Sequence, residues 1–170
     1  MIIGERITLR EIEWDDLDSI VKWRNDLEIL RWLFSYLPLS KTKQRKWYER
    51  YVEDETEQIF VVEVNEETIP IGTVELTNID YKNQRAELGV LIGDKSWRNK
   101  KAGKEALNLL IEFAFDEMNI RKIKAMVFEE NVPAIKLYEN CGFVEEGLLK
   151  KEVYKNGEFK NIIVMALFKN

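Results

Sequence analysis

Residues 86–106, AELGVLIGDKSWRNKKAGKEA, decide the fold, because an apolar run passes directly into a cationic segment. Residues 86–92 are typical of a buried strand, and a helix of about four turns is predicted at roughly residues 103–118. The first amides of a helix have no partner, and its dipole is positive there, so this junction predicts an anion-binding loop. The alternative to an anion-binding loop is that these cationic residues form a solvated stretch of the surface. The spacing matches neither GxxxxGK[ST] nor GxGxxG.

Outward from this junction, the pattern alternates between strands and helices. Strands are predicted at residues 7–12, 59–64, 71–76 and 123–128, and a final hairpin has Asn156-Gly157 in its loop. A helix opens at Asp15-Asp16, and Ser40 and Asn131 are candidate caps of two others. No linker or repeat interrupts the chain, so residues 1–170 are predicted to form a single domain of mixed α/β (α+β) class.

Composition excludes several classes of protein. With 170 residues, no histidine and the single cysteine Cys141, the chain has no imidazole for catalysis or zinc binding, and no internal disulfide. We therefore expect no metal and a reducing compartment, the cytoplasm. No signal peptide or membrane span is indicated. The net charge of −5 argues against nucleic-acid binding and fits a cationic substrate.

A second segment, NVPAIKLYENCGF at residues 131–143, places a phenol on a short helix. Ala134 and Tyr138 are four residues apart and share a helix face, beside the Asn131 cap. A tyrosine hydroxyl within hydrogen-bond reach can protonate a thiolate leaving group. The alternative is a tyrosine that only packs.

Together, the two segments resemble the GNAT family, the GCN5-related N-acetyltransferases. Arg98 and Gly103 match the family's loop, Arg/Gln-x-x-Gly-x-Gly/Ala, in which Lys101 replaces the first glycine. The resemblance implies a GNAT fold with about four helices and a mixed, mostly antiparallel sheet of about six or seven strands. It also implies that the fourth strand splays at residues 88–92 from the fifth strand, residues 123–128, and leaves a V-shaped gap where acetyl-CoA would lie as co-substrate.

The resemblance further assigns roles to particular residues. Tyr138 would be the general acid and would also contact the cofactor. The other implied acetyl-CoA contacts are the backbone of Val90, Leu91 and Ile92, the pyrophosphate loop Arg98, Asn99, Lys100, Lys101, Ala102, Gly103 and Lys104, and Asn131 and Ala134 beside the pantetheine arm. A primary amine would attack the thioester directly, without a covalent enzyme intermediate.

The attacking amine must lose a proton, and without histidine the candidate bases are carboxylates. Glu87 begins the cofactor strand and Glu75 lies in the preceding strand. The alternative for each is an exposed strand glutamate.

The amino-terminal half resembles the GNAT branch that includes ribosomal-protein N-terminal, spermidine and some amino-sugar acetyltransferases. Trp32, Phe34 and Tyr36 are candidates for an acceptor pocket, and Asp26 and Glu28 for attracting a cationic amine. The alternative is a helix-packing cluster with an acidic turn. The resemblance thus implies a protein N-terminal amine or a polyamine as acceptor, with an amino sugar or another small amine as the alternative. A homodimer and a non-catalytic acyl-CoA-binding module are further hypotheses.

Overall fold

A computed structural model describes residues 1–98 and 100–169. The strands are β1 (Ile2–Ile3), β2 (Ile7–Glu11), β3 (Gln58–Val64), β4 (Ile69–Asp80), β5 (Arg85–Ile92), β6 (Lys122–Phe128), β7 (Val144–Lys155) and β8 (Glu158–Phe168). The helices are α1 (Leu17–Arg24), α2 (Leu27–Leu30), α3 (Lys41–Tyr51), α4 (Ala102–Asp116) and α5 (Val132–Glu139), with short 3-10 turns at Trp14–Asp16 and Lys95–Trp97. Among the described residues, no helix is long and apolar enough to cross a membrane.

The strands form one sheet in the order β1-β2-β3-β4-β5-β6-β8-β7. All neighbours are antiparallel except β5 and β6, which are parallel. The predicted mixed, mostly antiparallel sheet is therefore confirmed. The strand count is higher than predicted, because the two-residue β1 was missed, so the predicted fourth and fifth strands are β5 and β6. The helix count is also higher than predicted, because α2, which has only four residues, was not predicted from the sequence.

The parallel pair is joined over a short distance only. β5 and β6 are paired at Arg85–Lys122, Ala86–Ile123 and Glu87–Lys124, after which residues 88–92 have no partner on the β6 side. On their other side the same residues remain paired with β4. The two strands thus diverge toward the end of β5, as predicted.

Helices cover both faces of the sheet, which explains why β3 is apolar at consecutive positions. Phe60 and Val62 belong to the core under α4, whereas Ile59 and Val61 pack with α1 and α3. The buried side of α4 consists of Ala102, Ala106, Leu107, Leu110, Ile111 and Ala114. The helix ends at Asp116, two residues before the predicted limit.

The predicted caps and turns are present. The Ser40 hydroxyl accepts a hydrogen bond from the Lys43 amide at 3.2 Å, and Asn131 Oδ1 accepts one from the Ala134 amide at 3.3 Å. Gly142 follows α5 with φ of +91°, a left-handed conformation that glycine adopts without strain. Asn156 and Gly157 both have positive φ, as a two-residue hairpin turn of type I′ requires.

Candidate active site

A cavity of about 680 Å³ opens where β5 and β6 separate. Its walls come from β4, β5, β6, α5, the β7 strand and the segment that follows α1. The predicted site residues that line it are Glu28, Trp32, Phe34, Glu75, Glu87, Val90, Leu91, Ile92, Arg98, Asn131, Ala134 and Tyr138. Asp26, Tyr36 and residues 100–104 do not line it, and Asn99 lies outside the described residues. Residues from both halves of the chain therefore meet at one cavity.

Tyr138 is buried at one wall of this cavity. Its side chain is 6% exposed and packs on Phe143, with ring centroids 5.5 Å apart. No described residue forms a hydrogen bond with its hydroxyl. Burial raises the pKa of Tyr138, and the nearby charge of Glu75 raises it further. The phenol is thus protonated at neutral pH, as a proton donor must be.

Glu75 reaches the cavity because its cross-strand neighbour is a glycine. Glu75 on β4 is paired with Gly89 on β5, and a Cβ atom at position 89 would lie 2.8 Å from Glu75 Oε1. Burial raises the pKa of Glu75, while the positive charge of Arg24 partly opposes this rise. Desolvation that raises a carboxyl pKa makes its anion a stronger base.

Among the described residues, Glu87 has side-chain partners and Glu75 has none. The Glu87 carboxylate accepts hydrogen bonds from Lys124 Nζ at 3.2 Å and from Asn78 Nδ2 at 3.1 Å. It lies at the last paired position of β5 and β6, where the cavity begins. Its charge is already balanced by the lysine, so the geometry favours Glu75 as proton acceptor.

Glu75 also borders a second cavity, of about 850 Å³, between the sheet and helices α1 and α3. Arg24, Thr73, Thr77 and Leu91 line both cavities, so the two spaces adjoin at these side chains. Arg24 and the two threonines were not among the predicted site residues. The alternation of β4 could have indicated the threonines, because they lie two residues on either side of Glu75 and share its face.

The loop before α4 has the conformation that a glycine would favour. Lys101 precedes the helix with φ of 64° and ψ of 1°, a left-handed conformation uncommon for residues with a Cβ atom. Its side chain does not cap the helix. The amides at the start of α4 have no intrahelical acceptor and are available to an anion. Lysine at position 101 therefore does not prevent the conformation expected of the family's glycine.

Arg98 joins this loop to the segment after α1. Its Nη1 donates to Glu28 Oε2 at 2.9 Å, and its Nε donates to the Ile92 carbonyl at 3.3 Å. Lys95 Nζ lies 3.0 Å from Glu28 and 3.2 Å from Asp26. Hydrogen bonds from Lys95, and to a smaller extent from Arg98, lower the pKa of Glu28. The pKa of Asp26 is lowered mainly by a hydrogen bond from the Glu28 amide, and to a smaller extent by one from Lys95. Lys95 was not among the predicted site residues, because no local sequence pattern distinguishes it.

Two of the three predicted acceptor aromatics face the cavity. Trp32 and Phe34 pack on Phe128 of β6, with ring centroids 6.3 and 5.2 Å apart. Tyr36 is instead 73% exposed and borders a separate depression with Tyr154. The interpretation of Tyr36 as a lining residue of this cavity was wrong, because its side chain is largely exposed and borders the other depression.

Comparison with known proteins agrees with this geometry. Residues 6–144 match the acetyltransferase (GNAT) domain family. The chain is 32% identical to spermidine N(1)-acetyltransferase of Vibrio cholerae over 168 residues, 99% of this chain and 96% of that protein. Identity to the Escherichia coli K12 protein of the same name is 30%, over 96% of this chain and 87% of that protein.

A solved structure shows the same similarity in three dimensions. The crystal structure of spermidine N-acetyltransferase from Vibrio cholerae in complex with CoA and spermine superposes with a TM-score of 0.92. The match covers 97% of this chain and 96% of that chain at 32% identity. With the diverging strands and the loop before α4, these similarities show that the chain belongs to the GNAT family and is an acetyl-CoA-dependent N-acetyltransferase.

Proposed function

We propose that the protein acetylates a primary amine of a polyamine such as spermidine. The observation that carries the proposed chemistry is the meeting of Tyr138 and Glu75 at one cavity, where a proton donor and a proton acceptor border the same space. The substrate class is supported by relatives named for spermidine that match nearly the whole chain. Beside the ion-paired Glu28 and Glu87, the carboxylates of Glu75 and Glu152 line the cavity and favour a cationic acceptor.

The backbone at the cavity supports the proposed seat for acetyl-CoA. Residues 90–92 of β5 have no strand partner on the β6 side, so the pantetheine arm can bind there as an added strand. The pyrophosphate would bind at the start of α4, at the amides of Ala102, Gly103 and Lys104 and the cations Arg98, Lys100 and Lys101, with Asn99 as a further contact. Asn131 and Ala134 border the arm from α5.

The proposed reaction needs no covalent intermediate. Glu75 accepts a proton from the bound ammonium, and the neutral amine nitrogen then attacks the carbonyl carbon of the thioester. The new C–N bond forms as the C–S bond breaks, and Tyr138 donates its proton to the leaving sulfur. The second proton that the nitrogen loses as it becomes an amide restores the phenol of Tyr138. An amide of residues 90–92 stabilises the oxyanion that develops on the carbonyl. Glu87 stands second to Glu75 as base, because Lys124 already neutralises it.

We also propose that residues 1–170 act as one acetyltransferase domain. The family match ends at residue 144, but β8 beyond it pairs with β6 along all of β6. Val153 and Glu152 of β7 line the cavity as well. The carboxy-terminal hairpin thus belongs to the same catalytic unit.

The acceptor is identified by product mass spectrometry. Purified protein and acetyl-CoA are incubated with spermidine, with a peptide bearing a free amino terminus, or with glucosamine, and thiol release is recorded in parallel. We expect monoacetylated spermidine and little product from the peptide or the sugar. Acetylation of the peptide or the sugar in preference to spermidine would overturn the proposed acceptor. Binding of acetyl-CoA by calorimetry without turnover of any amine would instead favour a non-catalytic acyl-CoA-binding module.

A further inference from the structure

Lys155 is a buried lysine at the carboxy-terminal end of β7. The residue is only 7% exposed, and burial lowers the pKa of its ammonium group. The ammonium donates to the backbone carbonyls of Leu33 at 2.8 Å and Ser35 at 2.7 Å. Within the described part of the chain, no carboxylate lies within ion-pair distance of it. Two carbonyls from a remote segment therefore provide its observed hydrogen bonds.

These carbonyls belong to the segment that carries the acceptor aromatics. Residues 31–40 between α2 and α3 contain no helix or strand, and the carbonyls of residues 33 and 35 accept no hydrogen bonds from a regular helix or sheet. Trp32 and Phe34 flank Leu33 and pack on Phe128 at the cavity wall. A lysine that bonds the carbonyls of residues 33 and 35 fixes the backbone on both sides of Phe34. The contact spans more than a hundred residues of sequence and joins the segment to the carboxy-terminal hairpin.

We propose that Lys155 is a positioning residue that anchors residues 31–36 and thereby holds the aromatic wall of the acceptor cavity in place. Burying an ammonium is costly unless its hydrogen-bond donors find acceptors, and bonds to a charged donor are stronger than neutral ones. This contact therefore stabilises one conformation of a segment that has little regular structure. The anchor itself depends only on the structure. Its effect on the acceptor rests on the proposed function.

Limited proteolysis tests the anchor without any substrate. Arg31 is exposed and provides a tryptic site at the start of the anchored segment. Lys155→Met keeps most of the side-chain volume but removes the donors, and Lys150→Met, at an exposed lysine of the same strand, is the matched control. We expect cleavage after Arg31 to become about tenfold faster in Lys155→Met, as the loss of a charged hydrogen bond predicts. Cleavage elsewhere should be unchanged, and Lys155→Arg should restore protection.

Steady-state kinetics then test the consequence for the acceptor. We expect Lys155→Met to raise KM for the polyamine by about tenfold, with kcat and KM for acetyl-CoA little changed, and Lys155→Arg to recover most of the loss. An unchanged cleavage rate after Arg31 would overturn the anchor. Faster cleavage at all tryptic sites together would also overturn it, by showing general destabilisation. Absence of polyamine turnover in the wild type would instead contradict the proposed acceptor and leave the proteolysis result to decide the anchor.

Discussion

Replacement of Tyr138 by phenylalanine separates chemistry from folding at this site. The ring is 6% exposed and packs on Phe143, and phenylalanine preserves both the burial and this contact. No described residue bonds the hydroxyl, so its removal leaves no protein partner unsatisfied. We therefore expect the free energy of unfolding to change by less than about 0.5 kcal/mol.

The catalytic effect should be far larger. Loss of a general acid lowers turnover by about 10²–10⁴, which corresponds to about 2.7–5.4 kcal/mol in the activation free energy. Acetyl-CoA affinity should change little, because the proposed pyrophosphate seat at the start of α4 is separate from the phenol. The assay measures thiol release at saturating acetyl-CoA and amine, together with acetyl-CoA binding by calorimetry and thermal unfolding.

The control is Tyr81→Phe, at an exposed tyrosine outside the cavity. It should leave all three measurements unchanged. Wild-type kcat in Tyr138→Phe would refute the assignment of the general acid, whatever the binding result. A fall in kcat accompanied by an equal loss of acetyl-CoA affinity would show that the hydroxyl acts in binding.

Two further substitutions test the carboxylate and the loop. Glu75→Gln should lower kcat/KM for the amine by about 10²–10⁴, whereas Glu63→Gln, away from the cavity, should not. Because burial raises the pKa of Glu75, its ionisation costs stability as pH rises, so Glu75→Gln should unfold at a higher temperature than wild type at about pH 8 and show no such gain at about pH 4. At Lys101, where φ is 64°, the glycine variant should be more stable than the alanine variant by about 1 kcal/mol, measured by denaturant unfolding. Equal stability of these two variants would contradict the left-handed conformation, and wild-type kinetics of Glu75→Gln would exclude it as base.

The elements that could be predicted are those with a strong local pattern. The apolar face of α4, the consecutive apolar residues of β3 and the caps Ser40 and Asn131 depend on neighbours within a few positions. The start of β7 could not be predicted in this way. That strand begins at Val144, whereas the sequence indicated only a final hairpin around Asn156-Gly157, because charged side chains and the positive φ of Lys151 interrupt the alternation of the strand.

Long-range pairs explain what was missed at the site. Gly89 gave no functional signal in the sequence, because its importance depends on Glu75, which lies opposite it on β4. Lys155 likewise resembles any lysine near a hairpin turn until its contacts with residues 33 and 35 are known. Register and tertiary contact determine both cases, and neither follows from composition or periodicity.

Arg98 shows how such a pair changes the interpretation of a motif residue. The sequence placed Arg98 with the cofactor and Glu28 with the acceptor, as members of two independent sites. In the structure they form a direct ion pair, and Lys95 contacts the same carboxylate. An anion that takes over Arg98 leaves Glu28 balanced by Lys95 alone, and so increases the negative charge available at the cavity wall. Because Glu28 and Lys95 are exposed, salt weakens the exchange, and the coupling between the two sites should be greatest at low ionic strength.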